Sequence, residues 1–445
     1  MPSPVVITGM GWVTPLGSDV DSVWTKLLAG QSAIGPVTRF DASTFATNFA
    51  SEVRNFDLRH FLDDVRPHAM ASIGTQFALA AAAQAWKQAG LSLARDRGKL
   101  NRRRFGIYLG SGEGQLDYDN FFAANLAGWK AETRSVDGRA WAQRALATMD
   151  VRRETEQEPN LAMSHVAAEF GCRGPAFNCM TACAASTQAI GEAFEIIRRG
   201  DADIMFAGGS HSMIHVLGMT GFIRLTAMSQ RRDDHTSAAR PFDQTRDGFV
   251  MGEGAGMLVL ESLDHARARG ATILAEIAGY GSSADAFRIT DIQPEGKGAM
   301  SAMAQALRQA GISPRELDAT GRPGVHYISA HGTGTKENDK IETAAVKGLF
   351  GPLAPRVPFS SVKSMLGHLI QAAGAVELIT CLKAIQTGFV PPTINLRTPD
   401  PECDLDYVPN AARDLRAAGG VDLCLSNSFG FGGQNDTIAV RRFRG

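Results

Sequence analysis

Three short stretches hold the residue types that could do covalent chemistry. Within residues 174–186, Cys183 follows an apolar run at 177–180 that reads as a short buried strand. It precedes a run from Thr187 whose small and straight-chain residues read as a helix. A thiol at a strand-to-helix turn faces free N–H groups and the partial positive charge of the helix N-terminus, which predicts a lowered thiol pKa. Taken alone, Cys183 is either such a nucleophile or one more small buried residue. His331 opens His331-Gly332-Thr333-Gly334-Thr335, and His368 closes Ser360-Ser361-Val362-Lys363-Ser364-Met365-Leu366-Gly367-His368. Each lies just beyond a strand-like segment, 325–329 and 357–360, in a turn rich in Gly, Ser and Thr. One thiol and two imidazoles at such loops make a Cys-His-His set suited to nucleophilic catalysis.

The elements that must position them read as alternating strands and helices. Residues 5–8 form an apolar strand ending in Gly9-Met10-Gly11, and Asp19 or Asp21 caps a helix carrying Val23, Trp24, Leu27 and Leu28. A helix over 70–88 stops at Gly90, and strands follow at 105–109 and 204–207. The segments 256–261 and 273–281 read as antiparallel neighbours, and 112–160 reads as polar and irregular. From about His265 the order repeats: helix 297–310, strand 325–329, helix 339–349, strand 357–360 and an Ala-rich helix 369–386. Such alternation implies a mainly parallel sheet covered by helices, in two halves, 1–264 with the cysteine and 265–445 with the two histidines.

These stretches occur in one order with Val5-Val6-Ile7-Thr8-Gly9-Met10-Gly11, Arg246-Asp247-Gly248-Phe249-Val250-Met251-Gly252-Glu253-Gly254-Ala255-Gly256 and Asn427-Ser428-Phe429-Gly430-Phe431-Gly432-Gly433. Together they resemble the elongating beta-ketoacyl-[acyl-carrier-protein] synthases, closest to the synthase II type, in the thiolase superfamily. The resemblance runs nearly end to end and implies an α/β thiolase-like fold, two similar halves stacked as five alternating helix and sheet layers. It also implies an acyltransferase of fatty-acid biosynthesis that condenses a Cys-bound acyl chain with malonyl-carrier, losing CO2 and adding two carbons. On this resemblance Cys183 takes the acyl chain, while His331 and His368 bind the malonyl thioester oxygen and assist decarboxylation. Lys363 and Glu377 match a supporting ion pair, Thr333 and Thr335 match contacts to the pantetheine arm, and the amides of Cys183 and Phe429 match the oxyanion hole. Phe429 and Phe431, in a glycine-rich loop, are expected at the substrate, with Phe429 as a mobile gate. The partners implied are acyl carrier protein and a second copy of the chain, through the strand at 176–180. No cofactor of its own is implied, since phosphopantetheine arrives on the carrier.

Composition agrees with this class and excludes others. The 445 residues are 44% hydrophobic with a formal net charge of −1, which gives no electrostatic case for nucleic acid or a membrane surface. The six cysteines lack paired metal-ligand spacing and are expected as reduced thiols, and the absence of a leader or long apolar run predicts a cytoplasmic protein. Gly208-Gly209 and Gly252-Glu253-Gly254-Ala255-Gly256 do not open a helix with phosphate-binding spacing. A thiolase would need a second catalytic cysteine in the C-terminal Gly-rich loop, and a type III synthase an Asn in place of His368. A non-catalytic chain-length-factor-like partner would lack Cys183. His211, Arg288 and Lys336 depart from the family pattern, and they leave a dedicated polyketide or unusual-lipid synthase as the alternative pathway. Within 112–160, Glu113, Gln115 and Asp117 stand where the family walls its acyl tunnel. A carboxylate cannot line hydrocarbon unpaired, so this segment is expected either to retune acyl choice or to be a surface insertion.

Overall fold

Ten strands form one sheet whose order repeats itself. The structure, a computed structural model, describes residues 3–92, 100–112, 116–288 and 292–445. The first half of the chain supplies β1 (Val5–Val13), β2 (Phe105–Ser111), β3 (Ala176–Cys179), β4 (Ile204–His211) and β5 (Gly254–Ser262). The second supplies β6 (Ala275–Ala284), β7 (Tyr327–Ser329), β8 (Phe359–Ser360), β9 (Leu423–Gly430) and β10 (Gln434–Arg441). Across the first set the order is β1-β5-β4-β2-β3, and across the second β6-β10-β9-β7-β8, the same path in both. Strand directions repeat as well: antiparallel for the first two pairings of each set, parallel for the last two. The sets join where Val5, Val6 and Ile7 of β1 pair with Ile277, Glu276 and Ala275 of β6.

Helices complete the layers: α1 (Val20–Leu28), α2 (Ile73–Gln88), α3 (Tyr118–Gly128), α4 (Gly138–Thr148), α5 (Val151–Thr155), α6 (Leu161–Phe170), α7 (Ala185–Arg198), α8 (Lys297–Ala310), α9 (Lys336–Phe350) and α10 (Ala373–Thr387). Of these, α2 and α6 cover the outer face of the first set, and α8, backed by α9, covers the second. Helices α7 and α10 lie between the sets and touch strands of both, which makes five alternating layers. A helix with a sheet on either side must be apolar all round, and α10 is buried from Ala373 to Ile385. Gly374 permits its contact with α7, since a Cβ there would come within 1.9 Å of the Thr187 hydroxyl oxygen.

Four expectations are corrected. The strands at 254–262 and 275–284 are not neighbours, because β1 runs between them and pairs antiparallel with each. With five of its nine pairings antiparallel, the sheet is mixed rather than mainly parallel. The first strand does not end at Gly9 and Gly11 but continues to Val13. These glycines admit α2, whose Ala85 carbonyl oxygen would lie 2.1 Å from a Cβ on Gly9. Residues 116–160 hold three helices and a short hairpin rather than an irregular run, with α3, α4 and α5 capped by Asp117, Asp137 and Asp150. Asp117 pairs with Arg153 at 3.2 Å, so its carboxylate is answered within the segment. Glu113 and Gln115 lie outside the described residues.

Candidate active site

Cys183 and His368 occupy the same station in the two halves. β3 leads through a 3-10 turn, Ala182–Ala184, into α7. β8 leads past Lys363–Leu366 through a 3-10 turn, Ile370–Ala372, into α10. Each passage needs a non-glycine residue in the left-handed region, Ala182 at φ 47° and Ile370 at φ 43°. That conformation costs about 1–2 kcal/mol per residue and persists only where surrounding structure over-determines it. Helices α7 and α10 pack on each other and bring their N-termini together. His368 Nε2 lies 2.9 Å from Cys183 Sγ, and both residues are buried.

His331 enters from the end of β7. Its N–H and that of Gly332 donate to the two oxygens of Glu342 on α9, at 2.9 and 2.8 Å, and Asn427 Nδ2 donates to Glu342 at 3.2 Å. Cys183 Sγ and one nitrogen of each imidazole then lie within 4.8 Å of one another. The rings of His331 and His368 stand edge to face at 5.5 Å, with Phe429 packed on His331 and Phe249 on His368.

Hydrogen bonding fixes the tautomer of both imidazoles. The Ile370 N–H donates to His368 Nδ1 at 3.2 Å, so the ring proton of neutral His368 is on Nε2, aimed at the sulfur. Lys363 Nζ reaches His331 Nδ1 at 3.5 Å and donates to the His331 carbonyl oxygen at 2.6 Å, which leaves the His331 proton on Nε2 as well. Burial, followed by the Lys363 charge, holds both imidazoles well below their usual pKa, so both are neutral N–H donors at neutral pH. The buried Lys363 ammonium is in turn bonded to Glu377. Burial pushes the Glu377 carboxyl up to about 7, against the pull of that ammonium.

For Cys183 the direction is opposite to the sequence expectation. Burial pushes its thiol up to about 12, outweighing the Lys363 charge and the N–H of Phe431, which donates toward the sulfur. The thiol is fully enclosed, and loss of water exceeds what one helix turn restores. The amides turned toward Sγ are thus those of Phe431 and of Cys183 itself. Phe429 belongs to β9, in register with Asn435 of β10. Phe431 lines a cleft of about 680 Å³ with Thr335, Lys336 and Asn338. The Thr333 and Thr335 hydroxyls are 3.0 Å apart, and Thr335 also caps α9.

The family model of the beta-ketoacyl synthase N-terminal domain matches residues 2–266, and that of the beta-ketoacyl synthase C-terminal domain matches 274–397. The chain belongs to the beta-ketoacyl synthase family. As a member it is a condensing acyltransferase. It is 41% identical over 441 residues to a 3-oxoacyl-[acyl-carrier-protein] synthase 2 of Coxiella burnetii, covering 98% of each chain. It is also 41% identical to the protein of that name from Synechocystis sp., covering 99% of this chain and 98% of the relative. Among solved structures it resembles a type II polyketide ketosynthase bound to a hexaketide, in complex with its acyl-carrier protein (TM-score 0.84, 33% identity, all of both chains). It is similar too to a beta-ketoacyl synthase from Burkholderia phymatum (TM-score 0.85, 32% identity, 99% of this chain and all of the other).

Against that family pattern, His211 is buried beside Gln371. Burial pushes its imidazole down to about 3, and His211 Nε2 and Gln371 Oε1 both lack a hydrogen bond of normal geometry among the described residues. Arg288 and Lys336 both line the cleft at Phe431. Sequence reasoning missed Glu342, which lies on the buried side of α9 with Asn338, Asp339 and Thr343 as well as Ile341 and Ala345. It also missed the strained Ala182 and Ile370, for which residue type gives no signal.

Proposed function

We propose that Cys183 accepts an acyl chain from acyl carrier protein and condenses it with malonyl-carrier in fatty-acid elongation. The carrying observation is the pair of neutral imidazoles with Nε2–H fixed, gathered within 4.8 Å of one sulfur. The thiol sulfur attacks the acyl thioester carbonyl, and the oxyanion is held by the Cys183 and Phe431 amides. The carrier leaves as its thiol, taking the cysteine proton. Malonyl-carrier then enters along the cleft past Thr333 and Thr335. Its carboxylate leaves as CO2, and the electron pair of the broken C–C bond forms an enolate whose oxygen receives the Nε2–H of His331 and of His368. The enolate carbon attacks the Cys183 thioester, a C–C bond forms, and the C–S bond breaks to release the Cys183 thiolate, which takes a proton from water to return the thiol. Lys363 and Glu377 act as positioning residues that keep both imidazoles neutral and His331 oriented.

This reading carries with it a homodimer through β3, a cytoplasmic site of action, no resident cofactor, and a division of labour between residues 1–264 and 265–445. No helix among the described residues is long and apolar enough to cross a membrane. A polyketide pathway is the second reading, favoured by the likeness to a hexaketide-bound ketosynthase and by the buried His211. The test is intact mass after treatment with acyl-carrier thioester. One acyl group is expected on the peptide containing Cys183, followed by a 3-oxoacyl product two carbons longer when malonyl-carrier is added. Acylation that persists in Cys183→Ala refutes the assignment.

A further inference from the structure

Ile214 and Phe40 pack in the apolar cluster that holds Cys183, and both also line a cavity of about 600 Å³. Tyr118 and Phe122 of α3 close another side, and these aromatic walls would suit a hydrocarbon chain. Glu156 lines it too, with its side chain 11% exposed. Its Oε1 is bonded to His165 Nε2 at 2.9 Å, while its Oε2 is buried with no hydrogen-bond partner among the described residues.

Behind Glu156 runs a chain of polar groups. His165 Nδ1 meets His68 Nδ1 at 2.8 Å, and His68 Nε2 meets Glu169 Oε2 at 3.0 Å, where Glu169 reaches solvent. Three hydrogen bonds among two carboxylates and two imidazoles require one proton each, all of them held between the groups. The chain therefore pins Glu156 and leaves Oε2 as an acceptor with nothing to accept. A buried acceptor in that state is costly, and native structures rarely keep one without a ligand, water or function. No positive charge on the described wall answers it. Arg39 is committed to Glu253 and Ser212, Asp119 and Glu158 are acidic, and His211 is held neutral by burial.

We propose that Glu156 Oε2 receives a hydrogen bond from a hydroxyl or amino group on the distal part of the acyl chain, so that the synthase selects polar-ended acyl groups over plain alkyl ones. The inference rests on the reading that Cys183 carries the acyl chain. His165, His68 and Glu169 are positioning residues for the carboxylate.

The test compares loading of wild-type Cys183, by intact mass, with carrier thioesters of matched length from C6 to C10. Each is supplied as plain acyl, ω-hydroxyacyl and ω-aminoacyl. At one or more lengths a polar-ended chain is expected to load about tenfold faster than its plain counterpart, the scale of one hydrogen bond to a charged group. In Glu156→Met that ratio falls toward one. In His165→Leu, which leaves the carboxylate unpinned, the ratio drops, whereas His165→Gln retains part of it. Faster loading of the plain chain at every length overturns the proposal, with no variant needed. So does a ratio unmoved in Glu156→Met. Failure of every chain to load Cys183 instead refutes the acyl-enzyme reading on which it stands.

Discussion

A neutral imidazole donates in one direction only when something else occupies its other nitrogen. His368 has the Ile370 amide there and His331 has Lys363, so neither ring is arranged to take the cysteine proton; both are arranged to give a hydrogen bond. This geometry supports the role proposed for them at the enolate rather than one in thiol activation. His331→Ala and His368→Ala are each expected to lose about 10²- to 10³-fold in condensation, the usual cost of one preorganised donor, while acyl loading of Cys183 survives. Separate assays of loading and of condensation check this, and normal condensation in either variant would refute the role. At this scale the sequence was most legible where chemistry is written in residue type. Cys183, His331 and His368 gain weight as a set of one thiol and two imidazoles, whereas Lys363 was read only through the family resemblance. The thiol pKa was read with the wrong sign, since position along the chain reveals the helix terminus but not the loss of solvent. The loop amide that faces the sulfur is that of Phe431, whereas the oxyanion hole was read at Phe429, because a main-chain donor has no residue type to betray it.

The two amides that open the loop carrying His331, those of His331 and Gly332, both donate to Glu342 of α9. Burial pushes that carboxyl from an ordinary 4.5 up to about 7, despite two backbone N–H groups and Asn427 pulling it down. Between those two values the folded chain keeps a proton that the unfolded chain has released, so stability falls as pH rises through the window. Glu342 alone accounts for on the order of 3 kcal/mol across it, at about 1.4 kcal/mol per pKa unit. Thermal unfolding of the wild type is expected to lose stability from about pH 5 to about pH 7.5, and Glu342→Gln to flatten that slope. Parallel slopes in the two proteins would reject it. Among the elements, α2, α7 and α10 were legible from their apolar and Ala-rich runs. The helices α3, α4 and α5 were not, although Asp117, Asp137 and Asp150 are strong capping residues. Their charged, mostly exposed surfaces hide the helical period. The placement of β1 between β5 and β6 was illegible for another reason: it is a long-range pairing, and nothing local to either strand encodes its neighbour.

At the scale of the whole molecule, β3 ends one side of the sheet and carries exposed Phe177 at 48%, with Met180 just beyond it exposed at 54%. Leu126, Trp129, Leu146 and Val151, in and beside α3 to α5, add further exposed apolar surface. An edge of this kind is a template for pairing with another chain unless covered. A dimer is expected in sedimentation at micromolar concentration, with Phe177→Asp shifting it toward monomer; a wild type that sediments as a monomer would refute this. The same strand path in both halves, too faint in the sequence to establish, is plain in the topology. It sets Cys183 and His368 at matching stations 185 residues apart. During synthesis, a ribosome that has released only the first of these stations holds a chain with a thiol but neither histidine. Competence to condense therefore switches on late in translation, when the second repeat docks, and a truncated product carries no working fragment of the reaction into the cell.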